Sequence, residues 1–186
     1  MSIFVLGIDP GFASSGYAVV GLLPEKEVVC LMGVIRTEKS DAKRAVLASD
    51  DNLRRARSIY NELERLCGVC GVVRVICAES MSFPRNASAA AKVAMCWGLI
   101  AALSQARGIP IVQVTPKQLK KALCQDGSAS KEQVQEALRM RYNPQVLDDH
   151  LARVPRGQEE HPYDALAAVV ACLDSDPIRM ARKMVT

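Results

Sequence analysis

Residues 3–8, IFVLGI, form an apolar run that ends at Asp9, and a Pro10–Gly11 turn follows at once. Such a run suits a buried β-strand, and a second strand is expected from Gly16 to Val20. Burying an unpaired carboxylate is expensive. A carboxylate at the end of a core strand therefore either serves its own turn or is held there to meet something positive. This choice organises the reading of the whole chain.

Residues 3–9, 16–23 and 27–36 are rich in β-branched residues and joined by short turns, which predicts three consecutive antiparallel strands. A helix is expected over roughly 42–67, with Leu53, Ala56, Tyr60, Leu63 and Cys67 as its buried stripe. The segment VVRVICAES, residues 72–80, reads as a fourth strand of central character. A helix over about 86–106 follows, then a strand at 109–114 and helices at 116–124 and 131–142, with Ser128 or Ser130 as N-cap of the last. Residues 143–159 are rich in proline and charge and read as a loop, and a final helix starts around Glu160. A meander followed by alternating units predicts an α/β fold: a mixed five-stranded sheet, antiparallel then parallel, flanked by helices. One domain is expected over 1–176, followed by a short basic tail at 177–186.

Composition narrows the function classes. Apolar residues make up 49% and charged residues 24%, which suits a folded chain rather than a disordered one. No uninterrupted apolar stretch approaches the roughly 18 residues that span a bilayer. The N-terminal MSIFVLGID has no basic leader, so retention in the compartment of synthesis is expected, the cytoplasm of a bacterium or phage-infected host, with an organelle as the other setting. The seven cysteines are an odd, scattered set, as expected of free thiols. Cys67 and Cys70 form one Cys-x-x-Cys, but a zinc site would want a second pair or spaced histidines, and a redox pair would want Cys67 at a helix start rather than its end. The net charge of +4 is modest, yet Arg107, Lys117, Lys120, Lys121 and Lys131 stand together against a lone Asp126, a distribution suited to a phosphate backbone.

Three acids carry the chemistry. Asp9 ends the first strand, Glu79 ends the fourth, and Asp164 stands early in the last helix with His161 three residues before it, on the same face. If the first and fourth strands are neighbours, Asp9 and Glu79 lie side by side, and the last helix can bring Asp164 and His161 to them. Carboxylates gathered without a cation repel one another. Hard divalent ions relieve that conflict, and two of them can assist an in-line phosphodiester displacement.

The blocks GIDPGFASSGYAVV, VICAESMSFPRNASAA, VTPKQLKKALCQDGSASKEQV and HPYDALAAVVA occur in the order and rough spacing of the RuvC family of Holliday junction resolvases, and the chain resembles that family over about residues 3–174. The resemblance implies a ribonuclease H-like fold and a homodimer that makes paired nicks in four-way DNA junctions. It implies two Mg2+ per active site, with Mn2+ as a substitute. Carried over by position, Asp9, Glu79, His161 and Asp164 look like its catalytic, metal-binding set, with His161 where many relatives have an aspartate. Lys120 and Lys131 match basic residues at the scissile phosphate. Phe83 stands one residue later than an ungapped match places the family's aromatic wedge, and Arg85, Lys117 and Lys121 join it as expected DNA contacts. The segment before His161 looks long, which brings Glu159 and Glu160 forward as competing ligands. A branch-migration motor is the further partner implied; a membrane is not.

Three other readings stand beside this one. A related nuclease could use the same site on forks, flaps or RNA–DNA hybrids. GIDPG and a hairpin also resemble the phosphate loop of actin-like ATPases, which need a second lobe that 186 residues leave no room for. A junction binder without catalysis would favour neutral or basic residues where these acids stand.

Overall fold

A computed structural model describes residues 2–40, 47–81 and 86–184. Strands β1 (Ile3–Asp9), β2 (Ser14–Leu22) and β3 (Glu27–Arg36) form an antiparallel meander. Helix α1 (Ala48–Leu66) leads to β4 (Val73–Glu79), which pairs parallel to β1, and α2 (Ala87–Arg107) leads to β5 (Ile111–Val114), parallel to β4. The five strands run in the order β3-β2-β1-β4-β5, the mixed sheet expected of the sequence. Five helices follow: α3 (Pro116–Cys124), α4 (Lys131–Arg141), α5 (Pro144–Leu151), α6 (Glu160–Cys172) and α7 (Asp176–Lys183).

Strand alternation sorts the core into two layers. Ile3 and Val5 of β1, Ala18 and Val20 of β2 and Val75 and Cys77 of β4 face α6, with Leu119 of α3, Leu138 of α4 and Ile178 of α7 behind it. Leu6, Ile8, Val19, Ile76 and Ala78 face the opposite side, against Ile59 and Leu63 of α1 and Ile100 and Leu103 of α2. The same parity carries Asp9 and Glu79 to the α6 face. Helix α6 is buried nearly all round, and each fully buried side chain such as Leu166 contributes roughly 1.5–3 kcal/mol. Its backbone comes unusually close to the sheet: a Cβ at Gly7 would collide with the Ala165 carbonyl, and one at Gly16 with the His161 carbonyl. Two glycines thus set the depth at which α6 presents its first turn.

Local signals explain the helix starts. Thr115 and Ser130 each close a capping box, with Gln118 and Gln133, so Ser130 rather than Ser128 caps α4. Asn86 caps α2, which Gly108 ends in the left-handed conformation. By length and a mean hydropathy of 1.5, α2 could cross a membrane. The strands on either side of it are hydrogen-bonded neighbours, however, so it runs back along the sheet as a crossover.

Three expectations need correction. Residues 143–159 are not all loop: α5 forms within them, held by buried Leu147. Residues 177–183 of the supposed tail belong to α7, whose Ile178 and Ala181 are buried in the main core. The inward stripe of α1 is Ala56, Ile59, Leu63 and Leu66, while Leu53 is 52% exposed. Asp51 and Arg55 take the inward positions of the first turns instead. Cys67 and Cys70 carry free thiols that burial pushes above their ordinary pKa, the opposite of a reactive pair.

Candidate active site

Asp9 and Glu79 extend the parallel pair Ile8–Ala78, so the two acids leave adjacent strands at one end of the sheet. The first turns of α6, seated on Gly16, bring His161 and Asp164 to the same end. These four side chains, with Lys120 of α3 and Lys131 of α4, line an open cleft of about 390 Å³ whose apolar floor includes Leu119 and Val134. Asp9 and His161, 152 positions apart in the chain, therefore share one site.

His161 Nδ1 lies 2.7 Å from Asp9 Oδ2. A carboxylate only accepts, so Nδ1–H donates and Nε2 is the nitrogen left for another partner. The bond to Asp9 pushes the His161 pKa up. Lys131 Nζ donates to Glu160 Oε2 at 2.7 Å and stands 4.0 Å from Asp164 Oδ2. Its pKa rises through Glu160, and that of Glu160 falls through Lys131.

Burial, then the charge of Asp9, then that of Asp164 push the Glu79 carboxyl up to about 7. Burial and Asp9 push Asp164 up to about 6. The cleft thus holds more negative charge than Lys131 offsets, and a proton or a cation relieves it. Among the described residues, no three His, Cys, Asp or Glu side chains close around a single point. The donors edge a cleft rather than form a finished cage. Their chemistry, hard oxygens with one imidazole nearby, fits a hard divalent ion that also takes water and phosphate oxygens.

These shifts give a pH-dependent prediction. Glu79 rises from 4.5 and Asp164 from 3.8, so between those values and about 7 the metal-free native state holds more protons than the unfolded chain. Stability then falls as pH rises through that window. His161, raised above 6.5, stabilises below that value and loses its contribution as pH climbs past its folded pKa, in the same direction. Magnesium added at about pH 8 is therefore expected to raise the melting temperature by several degrees, and at about pH 5 by much less. Equal shifts at both pH values would contradict these protonation states.

The remaining expected site residues fall differently. Lys117 and Lys121 are exposed on α3 and do not line the cleft; the stem of Lys117 lies against Gly127. Phe83 and Arg85 lie outside the described residues. Of the two competing acids, Glu160 lines the cleft and Glu159 does not. Glu160's hold on Lys131 was not anticipated, although its place four residues before Asp164 put it on the same helix face.

Residues 5–152 match the family model described as crossover junction endodeoxyribonuclease RuvC. The curated crossover junction endodeoxyribonuclease RuvC of Natranaerobius thermophilus is 29% identical over 169 residues, covering 91% of each chain. Among solved structures, Thermus thermophilus RuvC in complex with a Holliday junction substrate is similar at a TM-score of 0.70 and 25% identity, covering 91% of this chain and 92% of that one. The yeast mitochondrial Holliday junction resolvase shares the fold at a TM-score of 0.60 and 16% identity, covering 97% of this chain and 83% of that one.

Proposed function

Because the chain belongs to the RuvC family of crossover junction endodeoxyribonucleases, we propose that it cuts four-way DNA junctions by metal-assisted phosphodiester hydrolysis in the Asp9–Glu79–Asp164 cleft. The observation that carries this reading is the convergence of Asp9, Glu79 and Asp164 in one cleft, where burial and then mutual repulsion hold Glu79 at about 7 and Asp164 at about 6. Structural acids are normally paired or solvated; acids that repel one another in a cleft suit cations.

Asp9, Glu79 and Asp164 would hold the ions, with His161 as a neighbouring donor through Nε2. When bound there, a pair of divalent cations, Mg2+ by the hardness of the oxygens and Mn2+ as its substitute, supplies charge stabilisation to the attacking and leaving oxygens of an in-line displacement. The chain's own groups do the rest. His161 fixes one Asp9 oxygen by its hydrogen bond, which limits the rotamers of that carboxylate. Lys120 borders the cleft and Lys131 is held at its rim by Glu160; both face an incoming phosphodiester. A phosphate that draws Lys131 from Glu160 exchanges one charge-assisted hydrogen bond for another. Lys117 and Lys121 then serve more distant backbone as electrostatic contacts. Phe83 and Arg85, in the segment after Glu79, remain proposed junction contacts on the resemblance alone.

The protein is proposed to act as a homodimer through α2, giving two clefts for two strands of one junction. The setting this implies is the cytoplasm of a bacterial or phage-infected cell.

Purified protein is expected to cut a synthetic four-way junction into nicked linear duplexes in magnesium and to leave it intact with chelator. Forks, flaps and RNA–DNA hybrids of the same sequence should be cut far more slowly. Equal rates on forks or flaps would replace junction resolution with a broader branched-DNA nuclease, and no cutting of any of them would overturn the nuclease reading.

A further inference from the structure

Arg55 is only 4% exposed, on the inward face of α1, where a helix of this kind normally carries an aliphatic residue. Its guanidinium does not go unused. Nε donates to Thr37 Oγ1 at 2.9 Å, and Nη2 donates to the carbonyls of Phe12 at 3.3 Å and Thr37 at 3.4 Å. The same group lies 4.5 Å from the centroid of the Phe12 ring. Thr37 in turn donates through Oγ1 to the Phe12 carbonyl at 2.5 Å and through its backbone N–H to the Ala13 carbonyl at 3.0 Å. Ser15, 2% exposed, closes the other side of the turn by donating to the Gly11 carbonyl. Arg55 thus reaches residues 11–13, the turn that begins two residues after Asp9, directly at the Phe12 carbonyl and ring and indirectly through Thr37.

The acceptors Arg55 uses are neutral, and the nearest opposite charge is that of Asp51, one turn earlier on the same face. What an aliphatic residue cannot do is hold a carbonyl and an aromatic ring in fixed relation to two other elements. We infer that Arg55 is a positioning residue that clamps the Pro10–Ala13 turn, through Phe12 and Thr37, and so fixes where Asp9 stands in the cleft. Asp9 is then fixed from both ends: its backbone by the pairing with Gly16 and the turn that follows, and its side chain by His161. The planar fork matters, since an ammonium on a flexible stem cannot reach Thr37 Oγ1 and the Phe12 carbonyl in the same geometry.

This inference rests on Asp9 acting as a metal ligand, and its test separates the two ideas. Arg55→Met and Arg55→Lys are compared with wild type well below their melting temperatures, alongside Thr37→Val, which removes the shared hydroxyl and keeps its volume. Partners that orient a ligand are worth about 10- to 100-fold in metal affinity or activity. Both Arg55 variants are therefore expected to bind Mn2+ about tenfold more weakly by calorimetry without DNA, and to need correspondingly more metal for half-maximal cutting. Junction binding in calcium should stay within about twofold of wild type, since the phosphate contacts are untouched. Thr37→Val should move the same way by a smaller factor, and it decides the matter alone if the Arg55 variants do not fold. A lower melting temperature with unchanged Mn2+ affinity would make Arg55 a structural residue and overturn the clamp. Full rescue by lysine would overturn the role of the fork. A wild type that neither binds Mn2+ nor cuts the junction would instead overturn the metal-site reading beneath it.

Discussion

Asp9→Asn is expected to reduce magnesium-dependent junction cutting by at least about 100-fold, because groups that merely orient a ligand already act on a 10- to 100-fold scale. Asparagine keeps the volume and one oxygen but removes the charge that a hard cation needs. Folding should survive, since the pairing of Asp9 with Gly16 uses only backbone and the hydrogen bond from His161 can still end on the amide oxygen. Junction binding, measured in calcium, should be unchanged or tighter: one negative charge facing phosphate has gone. A second effect distinguishes a ligand from a bystander. Asp9 contributes to the rise of both Glu79 and Asp164, so its loss should bring both carboxyls down toward their ordinary range. The pH dependence of stability in the metal-free variant should flatten accordingly. Brisk cutting by the variant in magnesium would end the metal-ligand assignment. Lost cutting with lost junction binding would point to damage beyond one ligand.

Much of the site was legible because it sits on regular elements. Asp9 and Glu79 each end an apolar strand, and period-two alternation sends both to one face once β1 and β4 are neighbours. His161 and Asp164 needed only helical spacing. The hydrogen bond between His161 and Asp9 could not be read that way, because it depends on how deeply α6 settles against Gly7 and Gly16. The α1 stripe failed for a related reason. Counting apolar residues selected Leu53, whereas Arg55 and Asp51 point inward to partners on the β1–β2 turn and the segment after β3. Short helices were lost to composition. In α5 one buried leucine, Leu147, competes with Pro144, Asp148 and Asp149 for attention, and in α7 the basic residues mask Ile178. A helix of eight residues is marginal on its own and exists here through docking, which local pattern does not report.

Charge at Ala94 is expected to convert the protein to monomers and to abolish coordinated paired nicking. Helix α2 buries Cys96, Trp97, Ile100 and Leu103 against the sheet, while Ala87, Ala91, Ala94, Gly98 and Ala101 on its outer side are exposed. Water gains little from such a face, and small side chains let a second helix approach within the usual 8–10 Å. A helix of this length offers a strip roughly 30 Å long. At a helix width of about 10 Å the strip covers about 300 Å², short of the roughly 800 Å² per partner of a standard interface, so flanking segments must add to it. In a two-fold dimer the contact is isologous, and each substitution appears twice in the interface. Ala94→Glu therefore puts two unpaired carboxylates into an interface that association would dry, at a cost on the order of 3–5 kcal/mol. About 3 kcal/mol is a more than hundredfold loss of dimer affinity. The acids of each cleft lie on a single chain, so the monomer should keep slow, unpaired nicking while losing simultaneous cuts in opposite strands. Sedimentation and a supercoiled cruciform substrate read the two effects separately, since paired cuts linearise the circle and single nicks relax it. A wild type that sediments as a monomer at micromolar concentration and still linearises the plasmid in one binding event would overturn the dimer, as would an Ala94→Glu variant that does both as wild type does.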